Sequence, residues 1–208
     1  MDYIFDFDGT LVDSAPAILK GFERALAAHG MAPQVALDSH LIGPPLMLTL
    51  QRLTGVEDSK RLVPVADSFR TWYDSEGFRE TRVYDGVEAL LRDLVAAGNR
   101  LSLATNKRLK PTLALLDHLA WMPLFRTVYA LDKVSPAYVN KAAMLAALLR
   151  DEAMDAGGAC YVGDTVADAE AAAAVGLRFL AASWGYGDFT DTAYTRLTHP
   201  GQLSSLPL

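Results

Sequence analysis

Three short stretches of the sequence concentrate side chains able to do chemistry. They are Asp6-Phe7-Asp8-Gly9-Thr10, then Thr105-Asn106, then Gly163-Asp164-Thr165 with Asp168 close behind. Each follows a short apolar run: Tyr3–Phe7, Arg100–Ala104 and Ala159–Val162. If those runs are parallel strands, their ends meet on one edge and the aspartates share a small volume. Crowded carboxylates repel and raise one another's affinity for protons. A hard divalent cation relieves that repulsion, and an all-oxygen donor set suits Mg²⁺. Because Mg²⁺ keeps water and substrate phosphate oxygens in its shell, the chemistry indicated is phosphoryl chemistry.

The elements that must position these groups are legible. Two further apolar runs, Thr127–Leu131 and Arg178–Ala182, complete a set of five. Helical patterns lie between them. Val87, Leu90, Leu91, Leu94 and Val95 share one helical face that ends at Gly98, and Met144, Leu145, Leu148 and Leu149 form another. Strand and helix in alternation predict an α/β fold, a Rossmann-like parallel sheet with right-handed crossovers.

The second run starts about 27 residues before the third, and the third about 32 before the fourth, each room for one crossover helix. Between the first and second runs the interval is about 97, leaving roughly 70 residues in excess. A structureless loop of that length is rare in a compact domain. An α-helical cap domain over residues 14–82 is therefore expected, inserted into a core of 1–13 and 83–208. Its helical stretches are PAILKGFERALAAHG, LMLTLQRLTG and VPVADSFRTWYDSEGF. Placed after the first strand, it would cover the carboxyl ends of the strands, where open α/β sheets bind ligands.

Composition narrows the partners. The 208 residues are 51% hydrophobic and 21% charged, which excludes a disordered or collagen-like chain. With 19 Lys+Arg against 25 Asp+Glu the net charge is −6, so no broad cationic face for nucleic acid or an acidic membrane is expected. The single cysteine, Cys160, excludes an internal disulfide and falls in a strand, where it reads as a core residue. The four histidines show no ligand spacing. The first residues lack a basic segment ahead of an apolar run, and apolar stretches such as Ala142–Leu149 are far too short to span a bilayer. A cytoplasmic protein, monomer or homodimer, is expected.

DFDGTLVDS, a strand ending in Thr-Asn, a lysine at a helix start and GDTVAD resemble the four motifs of the haloacid dehalogenase superfamily. The resemblance spans the chain, helical cap included. IGPPL in the cap, VYDGVEALL before the second core strand and SWGYG after the fifth make the sequence most similar to the phosphoglycolate phosphatase group.

The resemblance implies a Mg²⁺-dependent phosphatase of small phosphomonoesters, with phosphoglycolate the leading named substrate and a small phosphorylated metabolite the partner. Asp6 would be the nucleophile that carries the phosphoryl group. Asp8 would protonate the leaving oxygen and then take a proton from water. Mg²⁺ would be held by the Asp6 carboxylate, the Asp8 backbone carbonyl and Asp164. Thr105 and the Asn106 N–H would hold phosphoryl oxygens, and the loop at Gly43 in the cap would face the pocket, with Arg70 or Tyr73 in reach. Lys141, opening the helix before the fourth strand, is the expected cationic partner in preference to Lys133. Asp168 would orient that lysine or a metal-bound water.

The bland readings are a turn for Asp6 and Asp8, a helix cap for Asp164 and Asp168, and packing for Trp121 and Trp184. Asp13 and Ser14 read as hinge and N-cap. The rival activities are a nucleoside 5′-monophosphate or sugar-phosphate phosphatase, a β-phosphoglucomutase-like phosphomutase, and a non-catalytic binding protein of the same fold. Dehalogenation is disfavoured because the acid at Asp8 is present, and phosphonate hydrolysis because the cap lysines Lys20 and Lys60 stand in no recognisable setting. A receiver-type signalling module is disfavoured because its acids, Thr and Lys come in a different order.

Overall fold

The computed structural model describes residues 1–190 and 194–206. The five apolar runs become β1 (Asp2–Phe5), β4 (Arg100–Thr105), β5 (Thr127–Ala130), β6 (Ala159–Gly163) and β7 (Arg178–Ala182). A short edge strand, β8 (Thr195–Leu197), joins them in one parallel sheet of order β5-β4-β1-β6-β7-β8. Two further strands, β2 (Val12–Asp13) and β3 (Arg82–Val83), form a separate antiparallel ribbon.

The sheet alternates as a doubly covered sheet must. Tyr3, Phe5, Leu101, Leu103, Cys160 and Val162 pack into one core. Ile4, Ala104 and Tyr161 pack into the other, beneath α6 (Lys141–Asp151) and α7 (Val166–Ala174). On the first face lie α4 (Val87–Ala96) and α5 (Leu109–His118). Burial pushes the Cys160 thiol up to about 12, so it is a packing group and not a nucleophile.

The first strand is shorter than the apolar run suggests, ending at Phe5 and not at Phe7. The Phe7 carbonyl accepts hydrogen bonds from the N–H groups of Thr10, Leu11 and Val12, so the chain turns there instead of extending the ladder. The strand β8 has no apolar run to announce it: of Thr195, Arg196 and Leu197, only Leu197 is buried.

The inserted segment holds α1 (Ala15–Ala28), α2 (Leu46–Thr54) and α3 (Ser59–Ser75). The last begins before the expected Val63 because Asp58 caps it, its side chain accepting from the Lys60 N–H. Helices α1 and α3 pack along a ladder of stacked rings, Phe22 on Phe69 at 4.8 Å and Phe69 on Tyr73 at 5.4 Å. The β2–β3 ribbon, pairing Val12 with Val83 and Asp13 with Arg82, pinches the segment's entry against its exit. No helix among the described residues is long and apolar enough to cross a membrane.

Candidate active site

Strand register decides which residues meet. β1 lies between β4 and β6, with Phe5 opposite Leu103 and Val162. The Asp6 N–H continues the ladder for one bond, donating to the Val162 carbonyl at 2.9 Å. Asp6, Thr105 and Asp164 therefore emerge side by side.

The turn after Asp8 must bring two backbones unusually close. Gly9 adopts φ +83°, and a β-carbon there would stand 2.1 Å from Asp164 Oδ2. Only glycine meets both demands. Gly9→Ala is expected to cost on the order of 1–3 kcal/mol by displacing Asp164. Thermal melts check this.

Asp6, Asp164 and Asp168 are buried and each presents an oxygen within 4.8 Å of the others. Asp164 is held on both sides: Thr10 Oγ1 donates to its Oδ1 at 3.1 Å and the Tyr186 N–H to its Oδ2 at 2.9 Å. Burial, with Asp6 and Asp168 adding repulsion, pushes its carboxyl up to about 8. Burial likewise pushes Asp6 up to about 7, against the pull of Lys141.

Lys141 is the first residue of α6, whose start is capped by Asn140 accepting from the Ala143 N–H at 2.8 Å. Its Nζ lies 3.1 Å from Asp6 Oδ2 and donates to Asp168 Oδ1. Burial opposes its charge, but Asp168 and Asp6 outweigh that and hold the ammonium above its ordinary range. Asp168 Oδ1 also faces the Tyr161 hydroxyl at 3.4 Å. Its Oδ2 accepts from the Thr165 N–H at 3.0 Å and hydroxyl at 2.6 Å, closing the capping box of α7.

Both oxygens of Asp168 are thus engaged by the protein, whereas Asp6 Oδ1 is buried without a hydrogen-bond partner among the described residues. A buried, unpaired carboxylate oxygen beside a second carboxylate with raised proton affinity is a donor set that a hard cation fits. Asp8 does not join this cluster through its side chain.

Thr105, Asn106 and Gly43 line the same pocket as Asp6 and Asp8. Asn106 Nδ2 donates to the Gly43 carbonyl at 3.0 Å, and Thr105 Oγ1 accepts from the Lys107 N–H at 3.2 Å. Lys133 lies elsewhere, its Nζ 3.3 Å over the Tyr129 ring. Arg70 does not reach the pocket; it pairs with Asp67 one helical turn away at 2.8 Å. Tyr73 does reach it.

Lys107 is the residue that sequence reasoning missed. Its Nζ donates to both oxygens of Asp8 at 3.0 and 3.3 Å and to the Tyr73 hydroxyl at 2.7 Å. The signal was its position directly after Thr105-Asn106 at a strand end. Its neighbour Arg108 forms a two-pronged pair with Asp74 of α3. Three consecutive residues, 106 to 108, therefore hold Gly43, Tyr73 and Asp74 of the inserted segment.

Ser14 stands at the N-cap of α1 as expected, but its hydroxyl makes no capping hydrogen bond. The Tyr186 hydroxyl accepts from the Ser14 and Ala15 N–H groups at 2.9 and 3.0 Å and donates to Asp13 at 2.9 Å. Trp184, for which packing and a place bordering the site were both open readings, donates its Nε1–H to the Thr10 carbonyl at 2.9 Å. The loop 184–187 thus braces the turns that carry Asp8 and Asp164.

Comparison with known proteins follows the same lines. Residues 3–182 match the family model described as haloacid dehalogenase-like hydrolase. The chain is 35% identical over 207 residues to tyrosine-protein kinase PtkA of Mycobacterium tuberculosis, covering 98% of this chain and 70% of that one. It is 35% identical over 193 residues to phosphoglycolate phosphatase of Cereibacter sphaeroides, covering 88% and 85%. A haloacid dehalogenase-like hydrolase of Streptococcus pneumoniae superposes with a TM-score of 0.85 at 22% identity, over 98% of this chain and 96% of that one, which bears on the fold alone.

Proposed function

The chain belongs to the haloacid dehalogenase-like hydrolases and is a phosphatase of phosphoric monoesters; from that premise we propose that it uses Mg²⁺ and a phosphorylated Asp6 to hydrolyse small phosphomonoesters. The observation that carries the reading is Asp6 itself: Oδ2 faces the Lys141 ammonium, Oδ1 is buried and unpaired, and the residue lines the pocket that Asp8 shares.

In the first step an Asp6 oxygen attacks phosphorus, the bond to the ester oxygen breaks, and Asp8 delivers a proton to that oxygen. In the second, water attacks the phosphorylated Asp6, Asp8 takes the water's proton, and inorganic phosphate leaves. Thr105 and the Asn106 N–H steady phosphoryl oxygens, and Lys141 offsets the anionic charge gathered beside it. Asp6, Asp164 and the Asp8 carbonyl would hold Mg²⁺, which supplies Lewis-acid neutralisation of the phosphoryl charge. Asp168 positions Lys141. Residues 14–82 act as the cap on a core of 1–13 and 83–208, a division supported by the β2–β3 ribbon. A reducing, cytoplasmic setting suits the one buried thiol.

The test is phosphate release from phosphoglycolate, hexose phosphates and nucleoside monophosphates, with Mg²⁺ and with chelator. Release that needs Mg²⁺ is expected. No release by folded protein with Mg²⁺ from any ester would overturn the reading.

Metal binding should also depend on pH in a defined sense. Below about 7 and about 8, Asp6 and Asp164 hold protons that a cation must displace. Mg²⁺ affinity is therefore expected to rise steeply from pH 6 to 8, by roughly tenfold per unit for each proton released. Calorimetric titrations at pH 6, 7 and 8 measure it; a flat profile would show that the carboxylates bind the cation already ionised.

A further inference from the structure

The cap's half of the pocket has a chemistry of its own. Between cap and core lies a cavity of about 80 Å³ that begins at Asp6 and Asp8. Away from those aspartates its walls are Ile18, Phe22, Leu41, Ile42, Leu46 and Phe69. Every one of these belongs to the inserted segment.

The cations of the lining are already committed, while Asn106 Oδ1 at the core side is buried without a hydrogen-bond partner. The only cations of the lining among the described residues are Lys107 and Arg108. Lys107 is bound to Asp8 and Tyr73, and Arg108 is bound at two points to Asp74. The Thr49 hydroxyl turns back to the Pro45 carbonyl at the start of its own helix. Among the described residues of the lining no cation is left uncommitted to hold a second anionic group, and burying such a group unpaired is costly.

Direction matters as well. Asp8 must reach the ester oxygen, so the alcohol part of the substrate departs from Asp8 past Lys107 and Tyr73. The ring ladder Tyr73–Phe69–Phe22 continues from there into the cap. On the phosphatase reading above, we infer that the preferred substrate is a small phosphomonoester whose alcohol part is apolar and uncharged, chain-like or ring-like. The hydrolysis is unchanged: ester and water give the apolar alcohol and inorganic phosphate. Phosphoglycolate, with its carboxylate, and the sugar phosphates become weaker substrates.

A homologous series tests this without altering the reacting bond. Ethyl, butyl and hexyl phosphate have alcohols of similar acidity, so differences in kcat/KM report the pocket. The expected rise is up to about fourfold per added methylene, with phosphoglycolate at least tenfold below butyl phosphate. A flat series, or phosphoglycolate ahead of it, overturns the inference while leaving the phosphatase reading intact. Binding of the non-hydrolysable hexylphosphonate and methylphosphonate, followed by calorimetry with Mg²⁺, separates the two readings further. Tighter hexylphosphonate binding without turnover of any ester would sink the phosphatase reading and keep the apolar pocket; equal binding would sink the pocket. In Leu46→Ser, with folding verified by its melt, the dependence on chain length is expected to flatten; an unchanged slope counts against the assignment.

Discussion

Replacement of Asp6 by Asn is expected to lower kcat by about 10⁴-fold or more, the scale seen when a catalytic nucleophile is removed. The fold should survive. Burial already works against the Asp6 charge, and Lys141 retains Asp168 as its partner. The melting temperature should therefore move by only about 2–4 °C, equivalent to roughly 1 kcal/mol. Steady-state phosphate release and a thermal melt on the same preparation decide it. Activity within tenfold of the parent would remove Asp6 from the chemistry.

Lys141→Ala should damage both activity and stability. The lysine stands between Asp6 and Asp168, both buried. Without it two carboxylates face each other with no cation, and breaking a buried pair costs about 3–5 kcal/mol. A fall in melting temperature on the order of 10 °C follows. Loss of a charge stabiliser beside the reacting group adds a drop in kcat on the order of 10²–10³-fold. Lys133→Ala, at a lysine resting on Tyr129, is the contrast: kcat within about twofold. Equal effects of the two substitutions would return the choice between the lysines to open. On the Mg²⁺ site proposed above, the cation should partly restore the melt of the Lys141 variant, because it would take over neutralisation of Asp6.

Much of this architecture was legible in advance, for a physical reason. Strand and helix periodicities are local, and the long interval between the first two core strands leaves no plausible arrangement except an insertion. Aspartates that follow apolar runs signal a shared sheet edge once the strands are parallel. Asp168 and Lys141 were placed on kinship to other sequences, and the structure brings them into contact with each other. What could not be read were relations between distant surfaces. Lys107 joins Asp8 to Tyr73 because α3 lies over the start of α5, and no periodicity in either segment encodes that approach. Tyr186 serves the start of α1 across more than 170 positions, in place of a local hydroxyl at Ser14 that is well suited by type but makes no hydrogen bond there. The apolar character of the cap pocket was hidden for the same reason: apolar residues of amphipathic helices announce burial, and only the packing reveals that some of them border a cavity.

The strand order has a consequence for how the protein comes into being. β1 is the first strand made, yet it sits at the sheet's centre and is bonded on one side to β6. Thr10 and the Asp164 it supports are 154 positions apart. A ribosome adding roughly 5–20 residues per second needs about 8–30 s to cover that span. During that interval Asp6 and Thr10 lack Lys141 and Asp164 for much or all of the time, while the inserted helices can already pack against one another through nearby contacts. The proposed site is therefore completed late. A chain cut short before β6 would carry both of its first aspartates and still lack Asp164 and Asp168.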